Sequence, residues 1–173
     1  MNAAAAPPLA RPVRPRELED PLNHYLYHPL AWQLARVLAR TPLTPNMVSV
    51  FGGLSVVAAG IAYLQPTSVI AWPGAALLGL ALHMAWHVID GADGDLARMT
   101  GRTSPRGELI DGLCDYVSHL VLYILLGTVL ARNMDTWGWW GGWAWIIMLA
   151  AGAAHAVQSN HVEVQRRFYL HWV

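Results

Sequence analysis

The chain has 173 residues, 55% of them hydrophobic and only 13% charged, which is roughly half the charged share of an ordinary soluble domain. That length is enough for one domain, and the formal net charge of zero at pH 7 gives no global basic field to suggest a nucleic-acid partner. The single cysteine excludes an internal disulfide framework, and the first residues lack the apolar core of a signal peptide.

The first 43 residues precede the apolar part of the chain. Residues 1–21 are rich in Ala, Pro and Arg, and their prolines forbid a continuous helix, so we expect a flexible tail. Residues 22–43 form a juxtamembrane segment in which a short amphipathic helix begins near Leu30. Its apolar side comprises Leu30, Leu34 and Val37 or Leu38. The helix lies either at the membrane interface or on an ordinary protein surface, and its Arg, Trp and Tyr content favours the interface.

Four apolar runs follow, each close to the ~20 residues that a helix needs to cross the hydrocarbon core of a bilayer. They comprise residues 47–64, 69–89, 109–131 and 136–157. The alternative, a soluble bundle of four buried helices, would show polar faces at helical spacing, and these are nearly absent. We therefore predict an all-α integral membrane bundle with four transmembrane helices in residues 44–158, followed by a cytoplasmic segment at 159–173.

Arginine placement predicts the orientation of this bundle. Five arginines precede the first helix, three lie between the second and third, and two follow the fourth, whereas only Arg132 lies on the other side. By the positive-inside rule the N-terminus, residues 90–115 and the C-terminus face the cytoplasm. An aromatic belt at the opposite interface would comprise Trp137, Trp139, Trp140 and Trp143.

Six of the eleven acidic residues fall within residues 90–115, between two apolar runs. If the second helix continues past the membrane edge, one face presents Asp90, Asp93, Gly94 and Ala97, at i, i+3, i+4 and i+7. One face of the third helix presents Gly107, Asp111 and Asp115, spaced by four. Residues 99–106 have a turn composition, which predicts that the two helices are antiparallel neighbours. Four carboxylates should therefore converge near the cytoplasmic boundary.

Four neighbouring carboxylates repel one another and need positive charge nearby. Pairing with arginine would make them purely structural, whereas one or two hard divalent cations, Mg²⁺ or Mn²⁺, would suit their oxygens and could clamp a diphosphate. The small residues Gly94, Ala97 and Gly107 would leave room for a ligand.

The remaining residues of the stretch have other predicted roles. Asp95 lies about 140° from Asp90 around a helix and is predicted to be solvated. Glu108 is predicted as a first-turn carboxylate favoured by the helix dipole. Cys114 is predicted as a small packing residue rather than a nucleophile.

The stretch reads D-x2-D-G-x2-A-R-x8-G-x3-D-x3-D and resembles the signature of the CDP-alcohol phosphatidyltransferase (CDP-alcohol phosphotransferase) family, integral membrane enzymes of phospholipid synthesis. The fixed positions are Asp90, Asp93, Gly94, Ala97, Arg98, Gly107, Asp111 and Asp115. Residues 44–49, Thr-Pro-Asn-x-x-Ser, also look like the family's entry to the first helix.

The resemblance implies a reaction and its residues. Asp90, Asp93 and Asp111 would bind a pair of divalent ions, Mg²⁺ or Mn²⁺. Asp115 would help to bind metal and act as the catalytic general base, which takes a proton from the acceptor hydroxyl as its oxygen attacks the β-phosphorus and CMP leaves. Substrate binding would fall to Asn46, Ser49, Gly94, Ala97, Arg98 and Gly107.

The resemblance also implies a homodimer and six transmembrane helices, of which the last two would be missing here. Residues 168–173 would then be the possible start of a further helix, and we expect the 173-residue chain alone to be weakly active or inactive.

Two substrate arrangements stay open: CDP-diacylglycerol with a polar alcohol as acceptor, or a CDP-linked choline or ethanolamine that donates to diacylglycerol. Residues 107–115 differ from the form typical of phosphatidylglycerophosphate synthases. They are more similar to the form of choline and ethanolamine phosphotransferases, Gly-Glu-Leu-x-Asp-x-x-Cys-Asp. Inositol-type acceptors also remain open. We retain CDP-diacylglycerol as the donor. A cation-binding membrane transporter is the alternative of a different class.

Three further groups have two interpretations each. One group either binds a phosphorylated acceptor or only marks the cytoplasmic side: Arg102, Arg106, Arg166 and Arg167. A second either tunes the site or forms hydrogen bonds within the bundle: His83, His87, His119 and His155. The third either faces the acceptor or is solvated: Gln158, Asn160, His161 and Glu163.

Overall fold

A computed structural model describes residues 19–65, 69–71 and 73–172, with only the backbone at 170. A π-helical stretch, Asn23–Tyr27, leads into the first of five helices. The helices are α1 (His28–Leu38), α2 (Pro45–Leu64), α3 (Gly74–Thr100), α4 (Pro105–Thr136) and α5 (Gly142–Trp172). These ranges contain no β-strand, which confirms the predicted all-α class. The predicted tail at residues 1–21 lies outside the described residues except for its last three.

The helix boundaries near the acidic stretch follow from capping residues. Thr44 begins α2 and accepts a hydrogen bond from the backbone N–H of Met47. Ser104 begins α4 in the same way, with its Oγ 3.0 Å from the backbone nitrogen of Gly107, and a proline follows each cap. Gly101 ends α3 at φ +64°, a left-handed conformation that glycine adopts without strain. The turn between α3 and α4 is therefore only a few residues long.

Helix α2 packs against both α3 and α4, whereas α3 and α4 approach each other directly at few points. Two adjacent glycines allow α2 to pack closely against both of these helices. A Cβ on Gly52 would lie 3.4 Å from Ile89 of α3, and a Cβ on Gly53 would lie 3.4 Å from the carbonyl oxygen of Cys114 on α4. The predicted antiparallel neighbours α3 and α4 are joined by the short turn and remain neighbours, but their backbones are separated. They meet through side chains such as Trp86 and His119, whose ring centroids lie 4.6 Å apart.

Helix α1 packs on α3 through small residues. Ala31 and Ala35 are fully buried in a cluster with Val48, Ala92 and Leu96, and Leu34 and Leu38 pack at its edge. Of the predicted apolar side, Leu34 and Leu38 pack against this cluster, whereas Leu30 and Val37 are exposed, and the place of that side at a membrane interface stays a prediction. Alanines permit a closer approach to Ala92 than leucines would, so the buried stripe is shifted around the helix.

Three helices are long and apolar enough to cross a membrane: Pro45–Leu64, Gly74–Thr100 and Pro105–Thr136. They support the prediction of a membrane protein. Most of the fourth predicted span lies in α5, which does not reach the same apolarity among the described residues: His155 lies within the predicted run, and Gln158 and Asn160 follow it. Three of the four predicted spans are thus supported by length and composition. Helix α5 continues without a break to Trp172, so the described residues from 168 onward belong to it and do not begin a further helix. The cytoplasmic placement of residues 159–173 stays a prediction.

The predicted aromatic belt lies around the connection between α4 and α5. Trp137, Trp139, Trp140 and Trp143 are all exposed, as an aromatic belt at a membrane interface requires. Their position relative to a bilayer stays a prediction.

Candidate active site

Three carboxylates from two helices converge in the gap between α3 and α4. Asp90 and Asp93 of α3 and Asp111 of α4 each offer an oxygen, and these oxygens all lie within 4.8 Å of one another. Asp93 is buried and accepts a hydrogen bond of 2.6 Å from Ser49 Oγ, which fixes the carboxylate from the α2 side. Three helices therefore build the cluster, although the sequence pattern pointed to only two.

The donor set of this cluster fits a hard divalent cation. All the ligands are carboxylate oxygens, which is the chemistry that Mg²⁺ and Mn²⁺ prefer. Among the described residues no arginine forms an ion pair with Asp90, Asp93 or Asp111. The alternative of structural acid–arginine pairs therefore has no support at these three positions, and a bound cation would offset their charge.

Asp115 stands apart from the other three motif aspartates. It lies one helical turn beyond Asp111 but is not part of the group of three. Its Oδ1 is buried and has no hydrogen bond, while the side chain as a whole is 38% exposed. The Nδ1 atom of His119 lies 2.9 Å from this oxygen and 2.9 Å from the Asp115 carbonyl oxygen, to which it donates its hydrogen bond.

Asp95 was predicted to be solvated, and that prediction was wrong. The residue is 7% exposed, and its Oδ1 lies 2.5 Å from a guanidinium nitrogen of Arg98, one turn along α3. This ion pair compensates for the burial of the carboxylate. The arginine of the signature thus already has a protein partner. The Arg98 guanidinium also lies over Gly94, since a Cβ added to Gly94 would be 3.5 Å from one of its nitrogens.

A small cavity of about 120 Å³ adjoins the carboxylate cluster and also contacts Asp93 and Asp111. All six predicted substrate-binding residues line it: Asn46, Ser49, Gly94, Ala97, Arg98 and Gly107. Arg102 and Glu108 also line this cavity, although neither was predicted to bind substrate there. Glu108 lies in the first turn of α4, as predicted. A Cβ at Gly107 would lie 3.3 Å from Ser104 Oγ and 3.5 Å from Asn46 Oδ1, so the absent side chain helps to keep the cavity open.

A second, larger space of about 540 Å³ runs between α4 and α5 and reaches Asp115. Most of its lining is apolar, with residues such as Leu120, Ile124 and Leu149. Its polar residues are Asp115, Tyr116, His119, Tyr123, His155 and Ser159. Sequence reasoning missed Tyr116, Tyr123 and Ser159. Asp115, His119 and Tyr123 are spaced by four along α4, and that spacing was the signal that could have found this face.

The four residues proposed near the end of α5 are not part of this groove. Asn160 donates a hydrogen bond of 3.1 Å to the Tyr116 hydroxyl, which ties α5 to α4 next to Asp115. Glu163 forms ion pairs with Arg166 and Arg167 at 3.3 and 2.8 Å, so these arginines have a local partner.

The four histidines form a row of rings beside Asp115. His87 stacks on Tyr27 at 4.6 Å and on His83 at 6.0 Å between ring centroids. His119 follows, 5.8 Å from His83 and 5.2 Å from His155. The row connects the N-terminal segment, α3, α4 and α5.

Comparison with known proteins assigns the chain to a family. Residues 42–169 match the family model for CDP-alcohol phosphatidyltransferase. Ethanolaminephosphotransferase 1 of Homo sapiens is 33% identical, over 64% of this chain and 35% of its own length. Phosphatidylinositol phosphate synthase of Mycobacteroides abscessus is 31% identical, over 65% of this chain and 43% of its own length. Archaetidylinositol phosphate synthase of Aeropyrum pernix is 34% identical, over 55% of this chain and 47% of its own length.

The chain spans about a third to a half of the length of these curated relatives. The family match covers most of the chain, including all eight fixed positions of the acidic stretch and residues 44–49. The chain therefore belongs to the CDP-alcohol phosphatidyltransferase family.

Proposed function

We propose that the protein transfers a substituted phosphoryl group from a CDP-alcohol to a hydroxyl acceptor and releases CMP, as a step of phospholipid synthesis. The observation that carries the proposal is the group of three carboxylates whose oxygens lie within 4.8 Å of one another beside a cavity lined by the remaining signature residues. Phosphoryl transfer needs positioning and charge neutralisation more than covalent catalysis, and this arrangement offers both.

We propose that Asp90, Asp93 and Asp111 hold divalent cations, Mg²⁺ or Mn²⁺, with two ions as the expected number and Asp115 as an additional ligand. When bound, such ions neutralise diphosphate charge and help a displacement at phosphorus. The chain itself contributes the rigid placement of the ligands, since Ser49 holds Asp93 from α2.

Asp115 is the proposed general base. It takes the proton of the acceptor hydroxyl as the acceptor oxygen forms its bond to the β-phosphorus. The bond between the β-phosphorus and the bridging oxygen breaks, and that oxygen leaves with CMP. The position of Asp115 supports this role, because it lies both beside the carboxylate cluster and at the edge of the groove between α4 and α5.

The small cavity is the proposed site of the cytidine nucleotide. Gly94, Ala97 and Gly107 leave its walls without large side chains, and Asn46, Ser49 and Arg98 provide polar groups. The larger apolar groove suits the acyl chains of a lipid substrate in either arrangement of donor and acceptor.

We propose CDP-diacylglycerol as the donor and a polar alcohol as the acceptor. A second candidate is transfer from CDP-ethanolamine or CDP-choline to diacylglycerol. It is favoured by the Gly-Glu-Leu-x-Asp-x-x-Cys-Asp segment and by the similarity to ethanolaminephosphotransferases.

A substrate panel separates these candidates. The full-length protein is reconstituted in lipid nanodiscs with Mg²⁺ and given either CDP-diacylglycerol with several alcohols or CDP-ethanolamine with diacylglycerol. CMP release and the mass of the lipid product are measured. The first proposal expects CMP only with CDP-diacylglycerol. CMP only with CDP-ethanolamine supports the second candidate, and CMP from neither contradicts the proposed function.

We also propose that the active site faces the cytoplasm and that the protein is a homodimer. The orientation rests on the positive-inside rule, since Arg98, Arg102 and Arg106 lie at the end of the bundle that holds the site. The homodimer rests on the family alone, and light scattering of the protein in detergent tests it.

A further inference from the structure

The carboxylate of Asp115 needs a fixed orientation if it is to act as a base, and contacts within the chain can contribute to that orientation beside a shared cation. Asp115 is not part of the group of three carboxylates, and its buried Oδ1 has no hydrogen bond. A carboxylate with free side-chain torsions would spend little time in the reactive geometry. A neighbouring side chain that constrains the carboxylate would therefore favour the reaction.

His119 lies one turn further along α4, and its Nδ1 is 2.9 Å from Oδ1 and 2.9 Å from the Asp115 carbonyl oxygen. A carbonyl oxygen only accepts hydrogen bonds, so Nδ1 carries the hydrogen and the neutral ring has no hydrogen on Nε2. The same N–H that binds the carbonyl is thus close to Oδ1 and attracts it electrostatically. This contact limits rotation of the carboxylate and leaves Oδ2 as the oxygen on the exposed side.

The His119 ring is itself held by neighbours from two other helices. The residue is only 7% exposed. Its ring meets Trp86 of α3 edge to face at 4.6 Å and His155 of α5 at 5.2 Å. His83 of α3 lies at 5.8 Å. A ring held on these sides cannot swing away from Asp115 without disturbing the packing between α3, α4 and α5.

We propose that His119 is a positioning residue, which orients the Asp115 carboxylate toward the acceptor through its Nδ1–H group. The inference rests on the proposed function, because it assigns a partner to the proposed base. The signature of eight fixed positions ends at Asp115 and does not include His119. The competing interpretation is that His119 only fills space between three helices.

Three substitutions at this position separate orientation from packing. His119→Phe keeps a ring but removes the N–H, His119→Asn places an amide nitrogen near the position of Nδ1, and His119→Gln places it near Nε2. Loss of an orienting partner typically costs about 10- to 100-fold in activity. We expect His119→Phe to lose that much in kcat with little change in KM for the CDP-alcohol, His119→Asn to recover most of it, and His119→Gln to remain low.

Ser118→Ala is the matched control. Ser118 Oγ donates to the same Asp115 carbonyl oxygen at 3.0 Å, so this variant removes a hydrogen bond to the backbone but leaves His119 in place. We expect nearly unchanged kcat. In an Asp115→Asn background, His119→Phe should cause little further loss, because the two residues act as a unit.

A measurement that is independent of activity tests the contact itself. NMR of the full-length protein with ¹⁵N-labelled histidine, at a pH where the rings are neutral, should show His119 with its hydrogen on Nδ1. Hydrogen on Nε2 would overturn the proposal. Equal activity of His119→Asn and His119→Gln, or full kcat in His119→Phe, would also overturn it. A wild-type protein that releases no CMP would instead contradict the proposed function and leave the NMR test of the contact valid.

Discussion

The four aspartates of the signature do not have equivalent surroundings. Asp90, Asp93 and Asp111 share a cluster, whereas Asp115 lines the groove between α4 and α5 and has His119 Nδ1 at 2.9 Å from its Oδ1. This asymmetry supports different roles for residues that look alike in the sequence. The i+3 and i+4 spacings were sufficient to predict that Asp90, Asp93 and Asp111 converge, but Asp115, the fourth predicted member, lies outside the group of three. The spacings also could not show that Ser49 and His119 would be the partners.

At Asp115 the proposed base role predicts a large kinetic effect with little structural cost. Asp115→Asn should lower CMP release by about 10²- to 10⁴-fold, the usual contribution of a general base. The adjacent variant Cys114→Ser is the control and should keep nearly full activity. Steady-state CMP release and thermal unfolding in detergent check both variants, and full turnover in Asp115→Asn would rule out the base role.

At Arg98 the structure predicts that two effects can be separated. Arg98→Ala leaves Asp95 buried without its ion pair, which should lower the free energy of unfolding by about 1–3 kcal/mol and also raise KM for the CDP-alcohol. Adding Asp95→Asn removes the unpaired charge, so the double variant should regain stability but not substrate affinity.

Denaturation and kinetics of the Arg98→Ala single variant and the Arg98→Ala/Asp95→Asn double variant test this prediction. Recovery of both properties in the double variant would show that Arg98 has no role in binding. The sequence could not predict this pair, because the angular position of Asp95 on the helix was known but the burial of that side of α3 was not.

At the scale of elements, the site depends on how α2 spaces its two neighbours. Gly53→Leu would place its Cβ 3.4 Å from the Cys114 carbonyl oxygen and 3.6 Å from Ser118 Cβ. The Cβ itself would be in ordinary contact there, so the further atoms of the leucine would have to push α2 and α4 apart, which should cost about 1–3 kcal/mol of stability and reduce activity.

Gly112→Leu is the matched control on α4, because a Cβ at Gly112 meets nothing within 4 Å. Thermal unfolding and CMP release of both variants check the prediction. Equal stability of Gly53→Leu and Gly112→Leu would show that α2 does not determine the gap between α3 and α4.

Helix existence was predictable here, and helix contacts were less so. Apolar runs and the turn composition of residues 99–106 located α2, α3 and α4, because these signals are local. The buried stripe of α1 depended on which side chains permit the closest approach to Ala92, and the α3–α4 gap depended on glycines of a third helix. The buried side of α1 and the α3–α4 gap each depend on contacts between helices, so neither could be predicted from the residue pattern of one helix.

At the scale of the whole molecule, the proposed metal site predicts unequal effects of the four aspartates on cation binding. Asp93→Asn removes a member of the cluster and should weaken Mn²⁺ binding strongly, whereas Asp115→Asn, outside the group of three, should weaken it less. Electron paramagnetic resonance titration of Mn²⁺ measures this without any requirement for turnover. Equal loss in the two variants would contradict the separation between the cluster and the proposed base.

Metal-dependent CMP release by the full-length protein tests the central claim most directly. The protein is stripped with EDTA in detergent, where no ion gradient exists, then supplied with each CDP-alcohol and its acceptor and titrated with Mg²⁺ or Mn²⁺. We predict no CMP after EDTA, restored CMP release on addition of either ion, and no restoration in Asp93→Asn. Cation binding without CMP release from any CDP-alcohol would contradict the proposed transferase function and favour a cation-binding membrane protein of another class.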